Sequence, residues 1–509
     1  MANVDKPSRA DGAHILVVPY PSQGHVNPML QLCKRLAFKG AKPTLVITKF
    51  ISKTFNPKSS HLNIAIDTIS DGFDQGGFGQ SKGVEDYLTR LEIEGSRSLE
   101  HLVKSYQSSI RPIDWVVYDS FLTWALDVAK KHDIKSASFF TQACMVNYVY
   151  YYIYEGVLKL PVTTPPAVEL PGLPPLELAD MPSFVCVPGS YPDYFKLISG
   201  QFRNVEKADL VLFNTYYKLE LEAVESMSKI FPILTIGPTL PSFYLDNRVP
   251  NDRTYDINLF ESNSSATIAN WLDAKQPGSV VYVAFGSMVD LSRAQTEEIA
   301  RGLTAAGFDF LWVIREFDFE ELVEPAHGRA LVVPWSPQLE VLSHVAVGCF
   351  FSHGGWNSTT EALSLGVPMV VFPQWTDQTM NAKLVQDVWG VGLRVGVGPD
   401  GVVSRDEIEG CVREVMEGEK GKEMKRNACK WSELAKEAAN PARDSRSKSL
   451  AAHTRRLQHT PLLMGSLSVA LKLDKRTHLR GRECQRRPTG CHDRTRVSGL
   501  GAVRSATAS

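Results

Sequence analysis

Two histidines, each at the end of an apolar run, and a group of short polar side chains could carry chemistry in this chain. His25 follows Gly24 in the Pro-Ser-Gln-Gly-His turn after HILVVPY (His14 to Tyr20), which reads as a buried parallel strand. Asp119 closes a second such run, WVVYD, and so sits at the equivalent end of another strand in the same sheet. A carboxylate bonded to one imidazole nitrogen fixes the tautomer and stabilises the imidazolium. The other nitrogen can then take a proton from an acceptor hydroxyl, a general-base role. A lone histidine in such a turn is more often a satisfied loop residue, so the pairing matters.

His353 ends a third run, VGCFFSH, and Gly354-Gly355 follow as a tight turn where the backbone can approach a ligand closely. Asn357 and Ser358 open a helix, NSTTEALSLG, that stops at Gly366 with Pro368 soon after. Strand, glycine turn and helix N-terminus together make an anion site, because unpaired backbone N–H groups and the helix dipole point at one place. A diphosphate fits there, with His353 as an added donor. Glu361, one turn into that helix, is placed to accept ribose hydroxyls. Trp335 closes the run ALVVPW and is placed to stack on a flat base such as uracil. Taken singly, each has a plainer reading: Trp335 as a core aromatic, Glu361 as a solvated helix residue.

The elements that must position these groups alternate along the chain. TLVIT, WVVYD and KSASFF follow the first run as strands, with a helix from Pro28 to Lys39 whose first turn suits Pro28. A second series comprises SVVYVAFGS, a helix near Ala294 to Ala306, FDFLWVI, and then the histidine-glycine unit. At 509 residues the chain exceeds one core. The expected fold is α/β, with two doubly wound, Rossmann-like domains facing each other across a cleft. The expected boundaries are an N-terminal acceptor-binding domain over 1–236, a Pro-, Asn- and Asp-rich linker over 237–259 and a donor-binding domain over 260–440. Residues 441–509 hold fifteen Lys and Arg against four Asp and Glu, without helical or strand period. They read as a disordered tail, with a nucleic-acid or membrane-surface arm as the alternative.

A formal net charge of −1 supplies no global field to attract nucleic acid or an acidic membrane. No apolar stretch approaches the roughly 18 residues needed to span a bilayer, and the first residues form no secretory leader. The eight cysteines lack metal-ligand spacing, and Cys33, Cys144 and Cys349 lie in apolar segments as small core residues. The expected setting is a reducing cytosol and the expected state a monomer without bound metal.

The stretch from Trp335 to Gln378, WSPQLEVLSHVAVGCFFSHGGWNSTTEALSLGVPMVVFPQWTDQ, resembles the signature box of the plant family 1 UDP-glycosyltransferases from its first residue to its last. That resemblance implies the GT-B architecture and UDP-glucose as donor substrate. It implies donor contacts from Trp335, Ser336, Gln338, His353, Trp356, Asn357, Ser358, Glu361, Trp375, Asp377 and Gln378, with Thr141 near the sugar and Ser287 on a phosphate. His25 and Asp119 match the family's catalytic pair. The reaction implied is one displacement at the anomeric carbon, inverting to a β-glucoside, with no cofactor. The chain also lacks an Asp-x-Asp element to bring Mg²⁺ to the diphosphate. Gln378 resembles the glucose-preferring members. WVVYDSFLTWALDVA, SFFTQACMVN and IGPTLPS resemble the branch that often esterifies carboxylic acids, so the acceptor is a small hydrophobic phenolic, terpenoid or apocarotenoid bearing a carboxyl or hydroxyl. FFTQACMVNYVYYYIY (Phe139 to Tyr154) would line part of its pocket, or simply fill the core. Gly355 stands where cysteine is usual, Ser336 where cysteine or alanine is frequent, and the family's Gly-Gly-Ser-Ser stretch and final helix are missing after Ala439. A catalytically weak nucleotide-sugar-binding relative and a GT-B-like epimerase are the competing readings; both would share the donor site.

Overall fold

Runs of Val, Ile and Leu that are apolar on both faces form strands only where helices cover both sides of the sheet. His14–Val18 (β1), Trp115–Asp119 (β4), Val280–Ala284 (β8) and Val347–Ser352 (β11) are buried at every position. The computed structural model describes residues 12–53, 64–163, 168–255, 265–286, 289, 291–314, 326 and 328–440. Ser287 and residues 441–509 lie outside the described residues, and so does the tail predicted there.

β1 and β4 join Lys42–Thr48 (β2), Ala65–Ile69 (β3), Lys135–Phe140 (β5), Leu210–Phe213 (β6) and Ile233–Thr235 (β7) in one sheet, ordered β3-β2-β1-β4-β5-β6-β7. β8 and β11 join Asp309–Val313 (β9), Ala330–Val333 (β10), Met369–Val371 (β12) and Gly392–Arg394 (β13), ordered β10-β9-β8-β11-β12-β13. Every pairing in both sheets is parallel. In each sheet the strand order reverses once, between β1 and β4 and between β8 and β11. Adjacent connections leave in opposite directions there, which opens a crevice beyond the carboxyl ends of the strands. His25 and Asp119 follow the two strands flanking the first crevice, and His353 follows one flanking the second. The doubly wound fold therefore places all three without any special device.

Packing agrees with the sequence at the cysteines: Cys33, Cys144 and Cys349 are fully buried and unpaired. Among the described residues, no helix is long and apolar enough to cross a membrane. The polar stretch after Gly237 is held firmly as far as Tyr255. Asp252 in it is buried against Lys34 at 2.8 Å, and Ser242 N donates to the same carboxylate at 2.6 Å. The helix Glu419–Ala439 returns to the first sheet's side, where Lys218 meets Glu437 at 2.9 Å and Tyr216 donates to the Trp431 carbonyl at 3.3 Å.

Candidate active site

The first helix, α1, runs over Gln23–Phe38, so it starts five residues before the Pro28 start expected from sequence. His25 therefore lies in a helical first turn, and Pro28 lies inside the helix. A proline there removes the N–H that would bond the carbonyl four residues earlier, which is Gly24. That carbonyl is satisfied from outside: Asn357 Nδ2 donates to Gly24 O at 2.8 Å. The helix could extend through Pro28 because the other half of the molecule supplies the missing donor.

His25 Nδ1 is 2.7 Å from Asp119 Oδ2 and 3.2 Å from Thr141 Oγ1. Asp119 is fully buried, and its second oxygen accepts from Phe121 N at 3.1 Å, which sets the carboxylate plane. An ionised carboxylate only accepts, so Nδ1 carries the proton and Nε2 keeps its lone pair. The His25 side chain is 16% exposed, enough for a substrate atom to reach it. Tyr20 and Phe121 flank the ring at 5.2 and 5.0 Å between centroids.

On the donor side, Gly354 has φ +77° and a Cβ there would lie 2.5 Å from Val371 Cγ1, so the turn requires glycine. The helix Trp356–Leu365 follows, with Gly355 as its N-cap and Gly366 ending it in the left-handed region. Its start is within two residues of the one expected. Burial pushes the His353 imidazole down to about 4, so at neutral pH it donates one N–H and carries no charge. The expected role of added donor is compatible with this.

Four of the expected nucleoside residues form one network. Gln338 Nε2 donates to Glu361 Oε2 at 2.6 Å and to Ser358 Oγ at 3.1 Å. Ser336 Oγ is 2.8 Å from Tyr282 OH, which also donates to Gln338 Oε1 at 3.3 Å. Tyr255 OH donates to the remaining Glu361 oxygen at 2.8 Å. Burial pushes the Glu361 carboxyl up to about 7, against the hydrogen bonds from Gln338 and Tyr255. Trp335 is half-buried, next to Ser336 in the chain and two residues beyond the end of β10.

The sugar-side loop is braced from the opposite half. Asp377 accepts from Asn381 Nδ2 at 2.8 Å, and Gln378 Oε1 accepts from Gln374 N and Trp375 N at 2.9 and 3.1 Å. Thr376, between Trp375 and Asp377, is a β-branched residue at φ 56°, a strained conformation. Ser183 fixes it, donating N–H to Thr376 O at 2.8 Å and accepting Thr376 N on Oγ at 2.6 Å. Trp375 meets Tyr191 and Tyr194 at 5.4 Å each, which builds an aromatic wall. Burial pushes the Asp377 carboxyl up to about 6, while the Asn381 bond and the nearby His25 pull it down. Gln142, next to the Thr141 that bonds His25, donates to Thr376 Oγ1 at 3.5 Å, which brings the His25 side of the first half to this loop.

The Trp356 side chain is buried. Its indole Nε1 donates to the Asn214 carbonyl at 2.8 Å, so this side chain joins the halves. Tyr255, Tyr282, Ser183 and Asn381 carry no motif that would have exposed them in the sequence; each arrives through a tertiary contact.

The family model described as UDP-glucoronosyl and UDP-glucosyl transferase matches residues 258–442. The chain is 51% identical over 435 residues to UDP-glycosyltransferase 74F2 of Arabidopsis thaliana, covering 84% of this chain and 94% of that protein. It is 50% identical over 433 residues to the flavonol 7-O-beta-glucosyltransferase UGT74F1 of the same plant, covering 83% and 93%. The crystal structure of Os79 from O. sativa in complex with UDP superposes with a TM-score of 0.80 at 38% identity, covering 87% of this chain and 99% of that one. With both crevices, the His25–Asp119 pair and the hydrogen-bonded network around Glu361 in place, this chain belongs to the plant UDP-glycosyltransferases and has their two-domain GT-B fold.

Proposed function

We propose that the protein transfers glucose from UDP-glucose, with inversion, to a carboxyl or hydroxyl group of a small hydrophobic acceptor. The observation that carries this reading is the 2.7 Å His25–Asp119 contact, on the half of the molecule whose Gln142 reaches Thr376 of the sugar-side loop at 3.5 Å. For a hydroxyl acceptor, His25 Nε2 takes the proton as the acceptor oxygen bonds to the anomeric carbon. The bond from that carbon to the diphosphate breaks, and its electron pair leaves with UDP. Asp119 stabilises the resulting imidazolium. The first N–H groups of Trp356–Leu365, with Ser358 and neutral His353, meet the charge on the leaving diphosphate. Asp377 and Gln378 face the sugar hydroxyls.

An acceptor with a flat apolar face suits Tyr20 and Phe121, which flank His25, and the Tyr194–Trp375 pair on the sugar-side loop. The names of relatives point the same way, a flavonol for one and crocetin for another at 42% identity. The unpaired cysteines among the described residues suit a reducing cytosol.

The test is incubation with UDP-glucose and a panel of phenols, alcohols and carboxylic acids, with UDP release and product mass followed. Glucosides form, and alkali-labile products identify esters. Release of UDP-free hexose isomers, or UDP binding without any glucoside, would overturn the reading. The transfer is proposed to need no divalent cation, and excess EDTA leaves the rate unchanged. A rate abolished by EDTA and restored by Mg²⁺ sinks that part.

A further inference from the structure

Tyr255 reaches the donor pocket from the Pro- and Asp-rich stretch between the two sheets. Its hydroxyl donates to Glu361 Oε1 at 2.8 Å, while Gln338 Nε2 donates to Oε2 at 2.6 Å. An ionised carboxylate has about four lone-pair sites. Two protein donors therefore fix its plane and leave about two sites, side by side, for a pair of neighbouring hydroxyls.

The stretch delivering Tyr255 is itself anchored. Lys34 Nζ donates to Asp252 Oδ1 and to the Thr254 carbonyl, both at 2.8 Å, and Lys34 and Asp252 are buried. Arg35 grips Asp246 with both terminal nitrogens at 3.2 and 3.3 Å. Lys34 and Arg35 lie on the helix whose first turn carries His25. A continuous set of contacts thus runs from the catalytic helix, through residues 246–255, to the carboxylate facing the nucleoside.

We propose that Tyr255 is a positioning residue for Glu361, held in place by a strap over residues 240–255, and that it makes the donor site selective for a nucleotide with an intact ribose 2′,3′-diol. This rests on the pocket being a UDP-sugar site and says how that site reads its nucleoside. A 2′-deoxyribose leaves one oriented carboxylate site without a donor. Without the phenol, the carboxylate is free to turn and the cost of its burial is less offset. The Glu361 carboxyl, already pushed up to about 7, moves higher and holds its proton at neutral pH. A protonated carboxyl offers one acceptor fewer, so it recognises the diol less well.

The experiment is calorimetric titration of the full chain with UDP and with 2′-deoxy-UDP, for wild type, Tyr255→Phe and a Lys34→Met/Asp252→Leu double variant. The double variant removes the buried pair without stranding one charge. Wild type prefers UDP by about tenfold or more. Tyr255→Phe loses about tenfold for UDP but less than about twofold for 2′-deoxy-UDP, with its melting temperature unchanged. The double variant reproduces that loss of discrimination. Its pH dependence adds a second readout: UDP affinity falls as pH drops through the Glu361 pKa, and in Tyr255→Phe this fall begins at higher pH. Equal loss of both nucleotides, or no loss, overturns the role of Tyr255; a double variant that discriminates like wild type overturns the strap. Wild type that binds UDP yet glucosylates nothing would sink the transferase reading while leaving this one standing.

Discussion

Replacing His25 with alanine lowers kcat/KM for hydroxyl acceptors by about 10²–10⁴-fold and spares much more of the activity on carboxylic acids. The difference follows from the acceptor. A phenol or alcohol keeps its proton at neutral pH and needs a base as the new bond forms. A carboxylic acid, with an ordinary pKa near 4, has already lost it. The proposed base is His25, because Asp119 and Thr141 both engage Nδ1, at 2.7 and 3.2 Å, which leaves Nε2 for the acceptor. UDP affinity is unchanged in the variant, because among the described residues the imidazole bonds Asp119 and Thr141 and none of the groups expected to hold the nucleoside or diphosphate. Parallel initial-rate measurements on one phenol and one benzoic acid decide the matter. Equal losses on both acceptors would mean that His25 orients the acceptor and does not deprotonate it.

Trp356→Ala destabilises the protein by about 3–5 kcal/mol, read from the midpoint of denaturant unfolding. Trp356 is buried, packs at a tilt against Trp389 with centroids 6.0 Å apart and bonds the Asn214 carbonyl across the two halves. Trp389 makes a parallel contact, donating Nε1 to the Leu219 carbonyl at 3.1 Å. Two indoles thus grip one loop of the first half, and deleting one leaves a cavity and an unpaired buried carbonyl. Trp356→Phe retains most of the packing and loses the hydrogen bond, so it costs about 1–2 kcal/mol. Were the indole instead a sugar contact, both variants would raise KM for UDP-glucose and leave the midpoint where it is.

These two cases separate what is legible in one dimension from what is not. His25, Asp119 and His353 each follow an apolar run, so their place at the carboxyl end of a strand can be read directly. The crevice at β1 and β4 then follows from any doubly wound order. Trp356 sits in the same box as Ser358 and Glu361, and nothing in the spacing tells that its indole bonds the Asn214 carbonyl. Helix direction decides that, and it depends on how the halves meet. The start of α1 is misread for a related reason: Pro28 signals a first turn locally, but Asn357, far away in sequence, satisfies the carbonyl that the proline abandons.

The sequence by itself determined two parallel α/β sheets, the approach of His25 to Asp119 and a glycine turn opening a helix after His353, because apolar period, glycine turns and strand ends are local properties. Only the tertiary structure decided that Tyr255 and Tyr282 complete the network around Glu361 and Gln338, that Ser183 holds Thr376 in a strained conformation, and that Trp356 is an inter-half tie. The physical reason is hydrogen-bond satisfaction. A buried carboxylate or carbonyl must find a donor wherever the folded chain supplies one, and that partner leaves no periodic trace in the chain.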